Sequence, residues 1–292
     1  MSKQTTKRCH WVPQAYLKAF AADQDQKKIW RFSKNSGDPE LKPIDKVAVK
    51  FHLYSPLDEN GRRDDFLEKK LSSLESWFGD PIWKAVCNDF PDFKWEPLRK
   101  MVALLVAVSW LRTPTQFEFW KSTHNRIVQS LLQHDRLPDA FTINGKTYEL
   151  DHTSWPAFQS ASEEEMKLAW NNWIGSSADI ALMLMKMRWA ILISDTPEFI
   201  TSDNPVLVGD TLGPHRGLTH PDTLVTFPLS PTRILMMDNR HSEPDSQFYR
   251  VNSVAATNSL IWRNAIEYMF SPRPPDKVCA EIVADAERMG MT

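Results

Sequence analysis

The stretch that most restricts how this chain can fold is Pro97–Arg112. Leu98 and then Met101 to Leu111 are apolar nearly all round, and a helix with no polar face has to be packed on every side. It should stop at Thr113-Pro114, because a proline pushes the residue before it out of the helical region. The run is about half of the ~20 residues that a membrane-spanning helix needs. It is therefore expected to be the most buried element of a globular core, with no membrane involved. The 42% hydrophobic content of the 292 residues can surround such a helix.

The flanking patterns say what surrounds it. A short helix opens near Pro13. Residues 64–78 carry Leu67, Leu71, Leu74 and Phe78 on one helical face with Asp64 placed as a cap, and Pro81 restarts or kinks the helix. A long helix over 115–134, with Phe117, Trp120, Ile127 and Leu131 on one side, should pair antiparallel with the buried one. Ser162 and Glu165 have capping-box spacing for a helix running to about Met187. Short strands are expected over 28–33 and 44–54 with Ser36-Gly37-Asp38-Pro39 as the turn between them, and Asn144-Gly145 signals a small hairpin.

The last third changes character. Residues 189–194, 198–202, 206–208, 224–229 and 233–237 are short β-type runs, spaced as in an antiparallel meander. A helix over 252–264, a strand over 267–270 and a terminal helix over 275–289 close the chain. Helices followed by strands predict an α+β fold, a helical bundle-like half packed with a short-stranded, mostly antiparallel sheet. A single domain over 1–292 is expected, helix-rich to 187 and strand-rich after it.

With 35 Lys+Arg against 37 Asp+Glu the net charge is −2, so no global field attracts nucleic acid or an anionic membrane, and any such contact must be local. Three cysteines without metal-type spacing, Cys9, Cys87 and Cys279, argue against a disulfide framework and fit a reducing compartment. The polar, basic start lacks an apolar leader, and the expectation is a soluble, cytoplasmic protein. No P-loop, Rossmann or nucleophile-elbow glycine pattern occurs, and no H-E-x-x-H. The histidines stand singly, and Trp77, Trp110, Trp120 and Trp189 lie where core packing accounts for them.

Three places carry polar groups that packing alone would not call for. His10 precedes the helix at Pro13 and Gln14 falls in its first turn, where free backbone N–H groups favour an anion; the alternative is that both merely satisfy a helix start. Asp203 and Asn204 follow the apolar run Phe199-Ile200, at a sheet rim, where Asp203 could act as a base or hold a cation; the alternative is an Asx turn stiffened by Pro205. Arg112 is the first charge after the apolar helix and needs a carboxylate, a phosphate or carbonyls if desolvated, unless it is simply a cation at a helix C-terminus. Glu68 and Glu75, on one edge of the leucine stripe, fit a solvated flank better than a metal pair.

In order along the chain, residues 10–20 (HWVPQAYLKAF), 111–114 (LRTP), 199–206 (FITSDNPV) and 227–231 (FPLSP), with Asn258 and residues 268–271 (YMFS) closing, resemble the domain-of-unknown-function family DUF4238. Trp11 stands where a tyrosine is more usual in the opening motif. The resemblance implies a shared fold and a shared set of polar positions, His10, Gln14, Arg112, Asp203 and Asn204, forming one site, and it names no reaction. The leading expectation is a hydrolase acting on a phosphodiester or nucleotide. In it His10 is acid or base, Asp203 base or metal ligand, and Arg112 stabilises a developing anion. The alternatives are a non-catalytic module binding a small anionic ligand, and a structural or interaction protein in which the same residues form a buried ion-pair network. A divalent metal stays open, as does nucleic acid as a partner.

Overall fold

The computed structural model describes residues 8–58, 60–133, 138–143, 146–210 and 217–288. It is an α+β fold. The apolar stretch forms the helix Glu96–Leu111, with ten of its sixteen residues buried. Its main partner is the helix Ser177–Lys186, which lays Ala181 and Leu184 against it, and not the helix Pro114–Leu132 as expected. The latter buries only Phe117, His124, Val128 and Leu131 and stacks on the helix Glu163–Gly175, through Phe117 on Trp170 at 5.0 Å and Trp120 on Trp173 at 5.8 Å. A helix apolar all round needs a partner rich in small and aliphatic residues, and Ser177–Lys186 is the better fit.

The most buried element is nevertheless a strand. All eight residues of Thr223–Ser230 are buried, because the strand is paired on both sides within its sheet. That sheet has five strands in the order Gln247–Arg250, Arg188–Ile193, Arg233–Asp238, Thr223–Ser230 and Leu207–Asp210. All its pairings are antiparallel except the first, which is parallel. A four-stranded antiparallel sheet runs Pro39–Pro43, Lys28–Ser33, Tyr268–Ser271 and Thr201–Ser202.

The expected meander is thus split. Thr201–Ser202 leaves its sequence neighbours to pair with Tyr268–Ser271, and Gln247–Arg250 joins without a sequence signal. The expected strand over 44–54 shrinks to Val49–Phe51, because Ala48 and His52 adopt left-handed φ of 47° and 53° that break an extended run. Its place beside Lys28–Ser33 is taken by Pro39–Pro43, an edge position where prolines without N–H are tolerated.

Several local readings hold. Pro81 restarts the helix as Pro81–Asn88, which Asp80 caps through the Ile82 N–H, and Ser162 and Glu165 form the capping box; Asp64 accepts from the Phe66 N–H, although Asp65 holds the N-cap position of Phe66–Glu75. The helix that follows ends at Gly175 and a second begins at Ser177, where one continuous helix was expected. Trp77 is 38% exposed, not core, since Ser76–Gly79 tightens to a 3₁₀ turn that moves it off the leucine stripe while Phe78 stays in. The hairpin strands Ala140–Ile143 and Lys146–Glu149 pair; the turn residues Asn144 and Gly145 lie outside the described residues, as do His134, His215 and Met289. No helix among the described residues is long and apolar enough to cross a membrane.

Candidate functional site

The first motif is the hub on which the others close. His10 ends the strand Arg8–His10, paired to Val49–Phe51, and Pro13 turns the chain into the one-turn helix Gln14–Leu17. The Asp45 carbonyl, 3.1 Å from His10 Nε2, can only accept, so Nε2 carries the proton and Nδ1 accepts from the Gln14 amide at 3.3 Å. Burial lowers the imidazole pKa, with Arg8 and Arg112 acting in the same direction, and the ring is held neutral. Trp11 donates its indole N–H to the Asp203 carbonyl at 2.7 Å. Tyr16 donates its hydroxyl to the Pro228 carbonyl and accepts from the Thr201 hydroxyl, both at 2.8 Å. The first, third and fourth motifs are joined by these bonds.

Arg112 brings in the second. It is 1% exposed; its Nη1 donates to Glu75 Oε1 at 2.6 Å and its Nη2 to the His10 carbonyl. Its Nε points to the Tyr54 hydroxyl, which in turn donates to the Arg112 carbonyl at 2.6 Å. Burial opposes the guanidinium charge, but Tyr54 and Glu75 outweigh it and hold the pKa above its ordinary value. Glu75 is therefore an ion-pair partner and not a solvated flank. Glu68 lies beside it, near the Cys9 thiol, and burial raises its pKa against the pull of Arg112.

Asp203 is 2% exposed and its carboxylate takes three backbone N–H groups: Ile266 on Oδ1 at 2.7 Å, and Glu267 and Tyr268 on Oδ2 at 2.8 and 2.9 Å. This is not the Asx turn on its own backbone; it fastens the approach to the strand Tyr268–Ser271, which pairs with Thr201–Ser202. Burial pushes its pKa up while the three N–H groups pull it down. Asn204 turns away to a reciprocal pair with Asn264, each amide donating to the other's carbonyl at 2.9 and 2.8 Å. The structure thus bonds His10, Gln14 and Arg112 directly, joins Asp203 to them through Trp11, and sets Asn204 apart.

Beside this hub lies a cleft of about 360 Å³ whose lining includes Trp11, Lys46, Lys50, Pro114, Asp203 and Tyr268. Arg31 covers the Tyr268 ring at 4.1 Å while pairing with Glu40. Lys46 and Lys50 have no carboxylate partner among the described residues. Sequence reasoning missed both lysines, since neither sits in a motif or on a periodic face. Among the described residues no group of three or more His, Cys, Asp or Glu side chains is placed to hold a metal ion.

The family model for DUF4238, a protein of unknown function, matches residues 8–274, and the chain belongs to that family. No curated protein and no solved structure matches it.

Proposed function

We propose that this DUF4238 protein binds a small anionic ligand carrying a flat ring, in the cleft beside Trp11. One observation carries the proposal. The cleft draws a residue from each of three separated motifs, Trp11, Pro114 and Asp203, and adds Tyr268 from the closing stretch. Its aromatic walls suit a ring, and its two lysines, without an ion-pair partner among the described residues, suit an anion. A mononucleotide has both features and falls within the volume of common small-ligand sites, roughly 300–1,000 Å³.

In this proposal the expected site residues position the cleft. Arg112 and Gln14 fix the His10 stretch that carries Trp11, Asp203 sets the loop that carries Glu267 and Tyr268, and Asn204 ties the neighbouring turn to Asn264. A hydrolase would ask Asp203 or His10 to exchange a proton with a substrate. Asp203 already accepts three N–H bonds, and both His10 ring nitrogens are engaged, so binding without chemistry is the function this geometry supports best.

The test is calorimetric titration with AMP, adenosine and inorganic phosphate at low and high salt. AMP should bind more tightly than either fragment and lose affinity as salt rises. Equal affinity for adenosine and AMP, or release of nucleoside and phosphate from AMP, would overturn the proposal.

A further inference from the structure

A second cavity, sharing no lining residue with the cleft at Trp11, lies between the four-stranded sheet and the last two helices, Ala255–Asn264 and Pro275–Arg288. Its volume is about 530 Å³. Phe32 and Met269 come from the sheet, Trp262 from the first helix, and Cys279, Ile282 and Val283 from the second. Val283 is 52% exposed, so the cavity reaches the surface. Its polar edge is cationic and donor-rich. Lys34 is fixed there by two 2.8 Å bonds from its ammonium to the carbonyls of Arg263 and Ala265, whereas the Arg263 guanidinium has no carboxylate partner among the described residues. Among the described residues no Asp or Glu lines the cavity.

An apolar body with cations at one edge and no opposing acid selects a ligand that is apolar at one end and anionic at the other. We propose that this cavity binds a small amphipathic carboxylate, its hydrocarbon body among Phe32, Trp262, Met269 and Ile282 and its carboxylate on Arg263. A planar carboxylate matches the guanidinium fork in a way that a neutral alcohol does not. An amine would meet only like charge. Part of the lining, from Cys279 onward, lies past the residues that match the family, while Met269 belongs to the closing stretch. It is independent of the cleft at Trp11.

Cys279 supplies the readout. It lies in the cavity wall and is only partly buried, while Cys9 and Cys87 are buried and serve as internal controls. The full chain is alkylated with N-ethylmaleimide under submillimolar decanoate, and each cysteine is followed by mass spectrometry. Decanoate should slow labelling of Cys279 severalfold and leave the other two unchanged. Octanoate should need about tenfold more for the same protection, from two fewer buried methylenes. Decanol should protect far less, and Arg263→Gln, an exposed change, should weaken decanoate without altering the thermal midpoint or the ligand-free labelling rate. Equal protection by decanol and decanoate, no loss in Arg263→Gln, or no protection at all would overturn the proposal. So would ligand-free protection that grows with protein concentration, since it would assign the cavity to a second copy of the chain.

Discussion

His10 and Trp11 are neighbours in sequence, and they belong to two unlike regions. On the His10 side is a knot in which the motif side chains are engaged: Arg112 with Glu75 and the His10 carbonyl, His10 with Asp45 and Gln14. On the Trp11 side is the cleft, where Lys46 and Lys50 form no ion pair among the described residues, although Asp203 and Glu267 also line it. The contrast teaches that the residues with the most obvious chemistry are tied up in holding distant segments together. A desolvated guanidinium or carboxylate persists only with its bonds filled, so such groups make good fasteners. A rim lysine keeps its hydration until an anion replaces it, so it is free to bind.

Substitutions can break this comparison, the largest effect first. Arg112→Met should cost about 3–5 kcal/mol in urea unfolding, because it leaves Glu75 without its partner in a partly buried setting and removes the donor to the His10 carbonyl. Asp203→Asn should cost about 2–3 kcal/mol, since an amide has one acceptor oxygen and would turn an N–H toward a backbone N–H of Ile266, Glu267 or Tyr268. Wild-type stability in either variant would remove that residue from the role of fastener.

A smaller effect concerns pH. The His10 pKa is depressed in the folded chain, so the unfolded state binds the proton more readily. This contribution to stability is complete above the ordinary histidine value of about 6.5 and is lost as pH falls through the lower folded value. Urea midpoints from about pH 7.5 to about pH 5 should therefore decline, and His10→Asn should flatten part of that slope. An unchanged slope in the variant would place the titration elsewhere. The smallest change in stability is expected for Lys46→Ala with Lys50→Ala, within about 0.5 kcal/mol, as for surface sites generally.

Local pattern made much of the fold legible. The helix Glu96–Leu111, the capping box at Ser162 and the strand Lys28–Ser33 each follow from residues within a few positions of one another. What could not be read was set by partners far away in sequence. The choice of Ser177–Lys186 to cover the buried helix depends on tertiary fit, the edge strand Pro39–Pro43 looks like a turn because of its prolines, and Gln247–Arg250 gains its identity only by pairing with Arg188–Ile193. The site divides in the same way. His10, Gln14, Arg112 and Asp203 stood out as polar groups at the ends of apolar elements, where such groups can meet. The amides that fill Asp203 lie at 266–268, a range with no polar side-chain pattern to announce it, and Lys46 and Lys50 look like any exposed lysines.

The most direct measurement is the AMP affinity of the Lys46→Ala, Lys50→Ala double variant beside that of Asp203→Asn, each with its unfolding midpoint. The double variant should bind AMP about tenfold or more weakly at wild-type stability, and Asp203→Asn should melt early. Undiminished AMP binding in the double variant, with binding abolished in an Asp203→Asn protein as stable as wild type, would contradict the account and return Asp203 to the ligand.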